Sequence, residues 1–113
     1  MITYKFGDVL LIDFLQSSNG QKKKRPSLVV LDIGDSDIVL APITTVKRTG
    51  SGDCNLKDWS NSGLLRDSWI RLAKIACLSK DDVIRKLGQV PDNDKEMIQI
   101  TWNKLYPLKS KQA

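Results

Sequence analysis

Long apolar runs broken by short polar turns dominate the first half of this chain. Gly7–Leu15, apolar with carboxylates at its start and middle, about Pro26–Asp32 and Ile38–Thr44 read as strands, and the unbroken apolar run of the third is consistent with burial on both faces. Gln16–Gln21, with an Asn-Gly turn signal, predicts a polar loop continued by Lys22, Lys23 and Lys24, and Gly34–Asp37 predicts a turn. Pro26 has no N–H to give to a ladder, so it belongs at the first residue of its strand or on an edge. Val46–Gly52 reads as a mobile loop, Cys54–Leu56 as a short strand, and Lys57–Gly63 as a helical turn or compact loop ending at glycine. Asp67–Leu78 is the longest strand expected; on a two-residue period its Arg71 and Lys74 take opposite faces.

The pattern changes near the end. Ser79 with Asp81 and Asp82 has the form of an N-cap and an acidic first turn. It predicts a short helix with Val83, Ile84 and Leu87 on its apolar face and Gly88 at its end. Asn93 and Glu96 form a capping-box signature for a last helix over roughly Asp94–Leu105, with Met97, Ile98, Thr101, Trp102 and Leu105 at core spacing. Pro107 stops it, and Lys109–Ala113 reads as a frayed tail. Four or five strands with short connections, then two small helices, predict a mainly β domain over residues 1–108. Its expected form is a small twisted barrel with a C-terminal helix packed on it.

Composition narrows the chemistry more than the fold. With 113 residues and 41% hydrophobic content the chain can build one core without staples. No segment reaches the roughly 18 apolar residues of a membrane span, and Met1–Lys5 opens into a strand pattern rather than a signal peptide. Cys54 and Cys77 are far apart in sequence, which favours free thiols and a cytoplasmic setting. There is no histidine, so the commonest general base and transition-metal ligand are both missing. The paired carboxylates Asp35/Asp37, Asp81/Asp82 and Asp92/Asp94 fall in turns and helix N-terminal regions, where capping accounts for them. Phosphate-cradling glycine motifs are absent. Neither a metal nor a cofactor is expected.

The charge balance of 18 Lys+Arg against 13 Asp+Glu gives +5, which favours phosphate-bearing partners. The sharp local concentration is Lys22–Arg25. Its last member, Arg25, sits at the mouth of a buried strand, and a guanidinium held at the rim of a rigid sheet loses little entropy on binding an anion. Thr44 closes the next apolar run. If the two strands are antiparallel neighbours, the start of one lies beside the end of the other, and guanidinium and hydroxyl share a rim. Such a pair suits a phosphodiester, whose growing charge arginine neutralises. The nucleophile would then come from the substrate, and RNA carries one in its 2′-hydroxyl.

Four segments resemble the PemK/MazF family of toxin–antitoxin ribonucleases. They are Gly7-Asp8-Val9, Lys24-Arg25-Pro26-Ser27-Leu28-Val29-Val30, Val39-Leu40-Ala41-Pro42-Ile43-Thr44-Thr45 and Gly63-Leu64-Leu65-Arg66-Asp67-Ser68-Trp69-Ile70. Lys86-Leu87-Gly88 before a last helix also fits, and the order and spacing of the set cover nearly the whole chain. The resemblance implies an SH3-like barrel, a homodimer, and metal-independent cleavage of single-stranded RNA. It implies that Arg25 steadies a phosphorane-like transition state and is placed for proton relay. Thr44 holds the same phosphate, and the 2′-hydroxyl attacks to leave a cyclic phosphate. The resemblance also implies a cognate antitoxin lying across the RNA groove. Lys22, Lys23 and Lys24 are expected either to gather RNA electrostatically or to form a solvated loop, Thr45 is a further expected RNA contact, and Arg71 reads as an RNA contact or as an interface or strand-surface residue rather than a catalyst.

The chain departs from the family in two places. One branch pairs an arginine with an aspartate two residues on; Arg71 matches the first, but Ala73 stands in the second position. Ser17-Ser18-Asn19 replaces the basic or aromatic residue that other members carry in the first loop. The proton acceptor is left unassigned. Two rival functions use the same barrel: a non-catalytic toxin that binds a protein target, as gyrase inhibitors do, and an inert RNA-binding barrel. Trp59, Trp69 and Trp102 are each candidates to stack bases or to pack in the core; Trp69 and Trp102 are expected in the core, while Trp59, in a loop, is open to either role.

Overall fold

The first three strands bury apolar side chains on both faces and so divide the interior into two cores. In the computed structural model, which describes residues 2–15 and 22–107, β1 spans Asp8–Leu15, β2 Lys22–Leu31 and β3 Asp37–Thr44. Val9, Leu28, Ala41 and Ile43 point to one side and join Leu56, Ile70, Leu72, Val90 and Ile98. Leu10, Ile12, Val29, Ile38 and Leu40 point to the other and form a smaller cluster with Phe14, Leu78 and Val83 against it. The alternation follows from the two-residue period of a strand. It explains why these segments read as continuous apolar runs.

β4 (Asp53–Asn55), β5 (Trp69–Arg71), β6 (Ala76–Ser79) and β7 (Val83–Gln89) complete a seven-stranded sheet, and α1 (Asp92–Leu105) follows. The order is β4-β5-β3-β2-β1-β7, with β6 pairing β3 beyond β5. Every pairing is antiparallel. Two register shifts between β1 and β7 and one between β2 and β3 add local twist and curl the sheet into an unclosed, barrel-like shape. The helix packs Met97, Ile98, Trp102 and Leu105 onto the larger core.

Several local expectations give way to tertiary demands. The long strand over Asp67–Leu78 is broken by a 3-10 turn at Leu72–Lys74, which inserts the fully buried Leu72 into the core. The break lets one stretch of chain serve two successive parts of the same β3 edge. Ser79 does cap, its hydroxyl accepting from the Asp81 N–H at 3.1 Å, but the turn ends at Asp82. Val83–Gln89 is then strand, not helix, because β1 needs a partner on its open edge. Helix α1 starts at Asp92 after Pro91, with no side-chain cap. Asp94 instead turns inward, accepting from the N–H groups of Lys57 (3.1 Å) and Asp58 (2.9 Å), and ties the loop to the helix.

The lysines also differ from the loop expected of them, since Lys22–Lys24 extend β2 and pair with Leu15, Phe14 and Asp13. The loop expected over Gln16–Gln21 and the tail at Lys109–Ala113 lie outside the described residues. Among the described residues no helix is long and apolar enough to cross a membrane. Cys54 is buried and Cys77 exposed, both as free thiols.

Candidate functional site

β2 and β3 run together through Leu28↔Ala41 and Ser27↔Pro42, and there their ladder ends. Two prolines account for the split. Pro42 and Pro26 have no N–H to donate and fall on adjacent rungs, so whichever of them faces the shared ladder leaves it without a donor there. Beyond Pro42, Ile43 and Thr44 pair with β5 on the opposite edge. The parting strands leave a notch of about 280 Å³, lined by Lys23, Arg25, Pro26, Thr44, Thr45 and Val46 with Ile43 at its base.

Two residues past this last rung on each strand come Arg25 and Thr44. The expected meeting of guanidinium and hydroxyl at one rim therefore has a concrete geometry: both line the notch. Arg25 is exposed. Thr44 Oγ1 accepts from the Val46 N–H at 3.1 Å, a local turn bond that orients the hydroxyl and leaves its own hydrogen available to a ligand. No carboxylate lines the notch among the described residues. Its charge is positive.

The basic run splits by face. Lys23 shares the Arg25 side of β2 and lines the notch. Lys24 lies on the other side, directly across from Asp13 of β1. Lys22 sits in the ladder opposite Leu15. Thr45 faces a second cleft of about 410 Å³, which shares Pro26 with the notch and carries Leu11, Leu64, Arg66 and Arg85. Arg71 is not among the residues lining the notch. It stands across β4 from Asp53, with Nε 3.5 Å from Oδ1, so its carboxylate partner comes from the neighbouring strand.

One residue beside the notch was expected in the core. Trp69 is the direct cross-strand partner of Thr44, and Asn55 is the partner of Trp69 on its far side. Trp59 and Trp102 pack against the larger core, but Trp69, half-buried, belongs to neither cluster. That corrects its expected core role. The available signal was the short strand at Cys54–Leu56, which already implied a partner to be found downstream.

Supporting contacts hold the frame. Asp8, buried, accepts from the Lys5 N–H (2.9 Å) and Gln89 Nε2 (3.1 Å) and pairs with Lys86 (3.1 Å), fastening β1 to β7. Asp32 accepts from the N–H groups of Tyr4 (2.7 Å) and Gly34 (2.8 Å) and pairs with Lys80 at 3.0 Å. Burial pushes its pKa up, but these donors and the ammonium outweigh burial and hold it below the ordinary carboxylate value. Burial pushes the Cys54 thiol up, with the Asp53 charge adding to the rise and a hydrogen bond with Thr101 opposing it. Among the described residues no three His, Cys, Asp or Glu side chains converge as a metal site would require.

The family model described as "PemK-like, MazF-like toxin of type II toxin-antitoxin system" matches residues 5–105. Solved structures repeat the fold. A mycobacterial endoribonuclease is 21% identical, with TM-score 0.73 and coverage of 96% of this chain and 98% of that one. A mycobacterial endoribonuclease in complex with its cognate antitoxin is 20% identical, with TM-score 0.75 and coverage of 96% and 99%. The MazE-MazF structure from Deinococcus radiodurans is 12% identical, with TM-score 0.72 and coverage of 96% and 100%. No curated protein matches the chain in sequence.

Proposed function

Because the chain belongs to the PemK-like, MazF-like family of type II toxins, we propose that it is a sequence-specific endoribonuclease that cuts single-stranded RNA without a metal. The observation that carries this reading is the pairing of Arg25 and Thr44 at the notch where β2 and β3 part. The fork of Arg25 suits two non-bridging phosphate oxygens at once, and it neutralises the charge that grows on them. The Thr44 hydroxyl, its oxygen engaged by Val46, donates to the same phosphate.

In this mechanism the substrate's 2′-oxygen forms a new bond to phosphorus while the bond from phosphorus to the 5′-oxygen breaks. The products are a 2′,3′-cyclic phosphate and a 5′-hydroxyl. The 2′ proton leaves to water, and the 5′-oxygen takes one from water. Arg25 offers only donors and a positive charge to the phosphoryl oxygens. In this reading its role is electrostatic.

Lys23 gathers the strand electrostatically, and Lys22, Lys24, Thr45 and Arg71 extend the contact surface at its margins. The protein is further proposed to act as a cytoplasmic homodimer, silenced by a cognate antitoxin that covers the notch. The similar fold of a mycobacterial endoribonuclease in complex with its cognate antitoxin supports the antitoxin partner.

The test is cleavage of single-stranded RNA in EDTA by the wild type and by Arg25→Ala. The expected result is cutting by the wild type, a loss of roughly 10²-fold or more in the variant, and unchanged thermal unfolding. Undiminished cutting by Arg25→Ala overturns the mechanism. Absence of cutting together with tight binding to a protein target overturns the function in favour of a non-catalytic toxin.

A further inference from the structure

The row of residues across the sheet at the notch does not stop at Thr44. Trp69 on β5 is its direct partner, and Asn55 on β4 is the partner of Trp69. Direct partners in an antiparallel ladder show their side chains on one face, spaced by about 4.8 Å from strand to strand. Thr44, Trp69 and Asn55 thus form a line on one side of the sheet, and Arg25 lines the notch at its Thr44 end.

Trp69 is the outlier of the three tryptophans. The other two are packed on the larger core, while this indole lies half-buried outside both clusters. A large aromatic paired across the sheet with Thr44 of the cationic notch offers a stacking surface to a base. Asn55 adds a reader. Its Nδ2 donates to Asp67 Oδ1 (2.8 Å) and to the Ser68 carbonyl (3.2 Å), two groups that only accept. Both amide hydrogens are committed, so the orientation of the amide is set and Oδ1 is left as its acceptor.

We propose that Trp69 is the stacking platform for a base flanking the scissile phosphate and that Asn55 Oδ1 reads that base through an amino group on its edge. The subsite favours adenine, cytosine or guanine over uracil. Uracil's single imino hydrogen is flanked by two carbonyls that repel the asparagine oxygen. The inference rests on RNA being the ligand, as proposed above, but does not require cleavage.

The experiment pairs binding with cleavage. Binding is read by tryptophan quenching on titration with a 2′-O-methyl oligoribonucleotide, which cannot be cut, and cleavage by mapped sites on a mixed RNA. Wild type should show quenching that is lost in Trp69→Phe, while that variant binds close to wild type because a ring remains. Trp69→Ala should bind about 5- to 150-fold more weakly, with a matching rise in KM. Asn55→Ala should cut at uracil-flanked sites that the wild type spares. If the wild type binds with quenching but never cuts, the endoribonuclease reading falls and the subsite stands. If the wild type cuts and Trp69→Ala matches it in KM, affinity and site choice, the subsite falls and that reading stands. A wild type that neither binds nor cuts RNA overturns both.

Discussion

Gly63 and Gly88 meet backbone to backbone. A Cβ on Gly88 would lie 2.5 Å from the Ser62 carbonyl oxygen, and one on Gly63 would meet the Leu87 carbonyl. Gly63 also adopts φ +86°, where side chains are disfavoured. This contact presses the 3-10 turn Ser60–Ser62 onto β7 and anchors the loop that leads through Arg66 and Asp67 into Trp69. Gly88→Ala should therefore destabilise by about 2 kcal/mol or more, since neither backbone can yield cheaply. Urea unfolding measures it, and a variant within about 0.5 kcal/mol of wild type would contradict the close approach.

Chemistry at the notch makes its own prediction. Thr44→Ser keeps the hydroxyl and should retain most RNA cleavage. Thr44→Val removes both the hydrogen bond to phosphate and the acceptor for the Val46 N–H. It should lose about 10-fold in kcat/KM, the worth of one hydrogen bond of roughly 1.4 kcal/mol. Arg25→Lys should lose more than that, because a point charge cannot engage two oxygens in a fork. Equal activity of Arg25→Lys and wild type would show that charge alone suffices.

The meeting of Arg25 with Thr44 was legible because it needs only two neighbouring runs and the turn at Gly34–Asp37 between them. The place of Trp69 was not, since β5 reaches β3 only after β4 and a long loop intervene. Lys22–Lys24 looked like loop because a strand that projects past the core has no apolar face to announce it. At Val83–Gln89 a genuine local cap at Ser79 suggested helix, and the demand of β1 for an edge partner overruled it. The capping box at Asn93 failed for a similar reason: Asp94 serves the loop at Lys57–Asp58 and the helix begins earlier.

Stability should fall in acid through Asp32. Its folded pKa lies below the ordinary value, so its contribution is fully present above the unfolded pKa of about 4 and is lost as pH falls through the lower folded value. The carboxylate joins the Tyr4 N–H, the Gly34 N–H and Lys80, whose ammonium also donates to the Ile2 carbonyl at 2.9 Å. Asp32→Asn should lower Tm at neutral pH, and its gap from wild type should close below about pH 4. A gap of constant size from pH 7 to pH 3 would remove Asp32 from the acid response.

The two thiols should react at different rates. Cys77 is exposed on β6, whereas Cys54 is 2% exposed and burial holds its thiol protonated above the ordinary range. An aromatic disulfide reagent at pH 8 should titrate one thiol rapidly in the native protein and the second only on unfolding. Cys77→Ser should abolish the fast phase and Cys54→Ser should leave it intact. Two equally fast thiols would mean that the larger core opens readily near β4.

Adjacent lysines should differ in what they give to RNA binding. Lys23 lines the notch on the side of Arg25, while Lys24 stands on the reverse side of β2 across from Asp13. Each phosphate contact neutralised by a cation releases counterions, so losing one lowers the dependence of log K on log salt by about 0.7 for a single strand. Lys23→Ala should show that loss in titrations of a 2′-O-methyl oligoribonucleotide between about 50 and 200 mM salt, with weaker binding at the lower end. Lys24→Ala should leave the slope nearly unchanged, because its charge lies on the far side of the sheet, beside a carboxylate. Slopes reduced equally in both variants would mean that RNA wraps the β2 edge rather than entering the notch, and Arg25 would then be one cation among several.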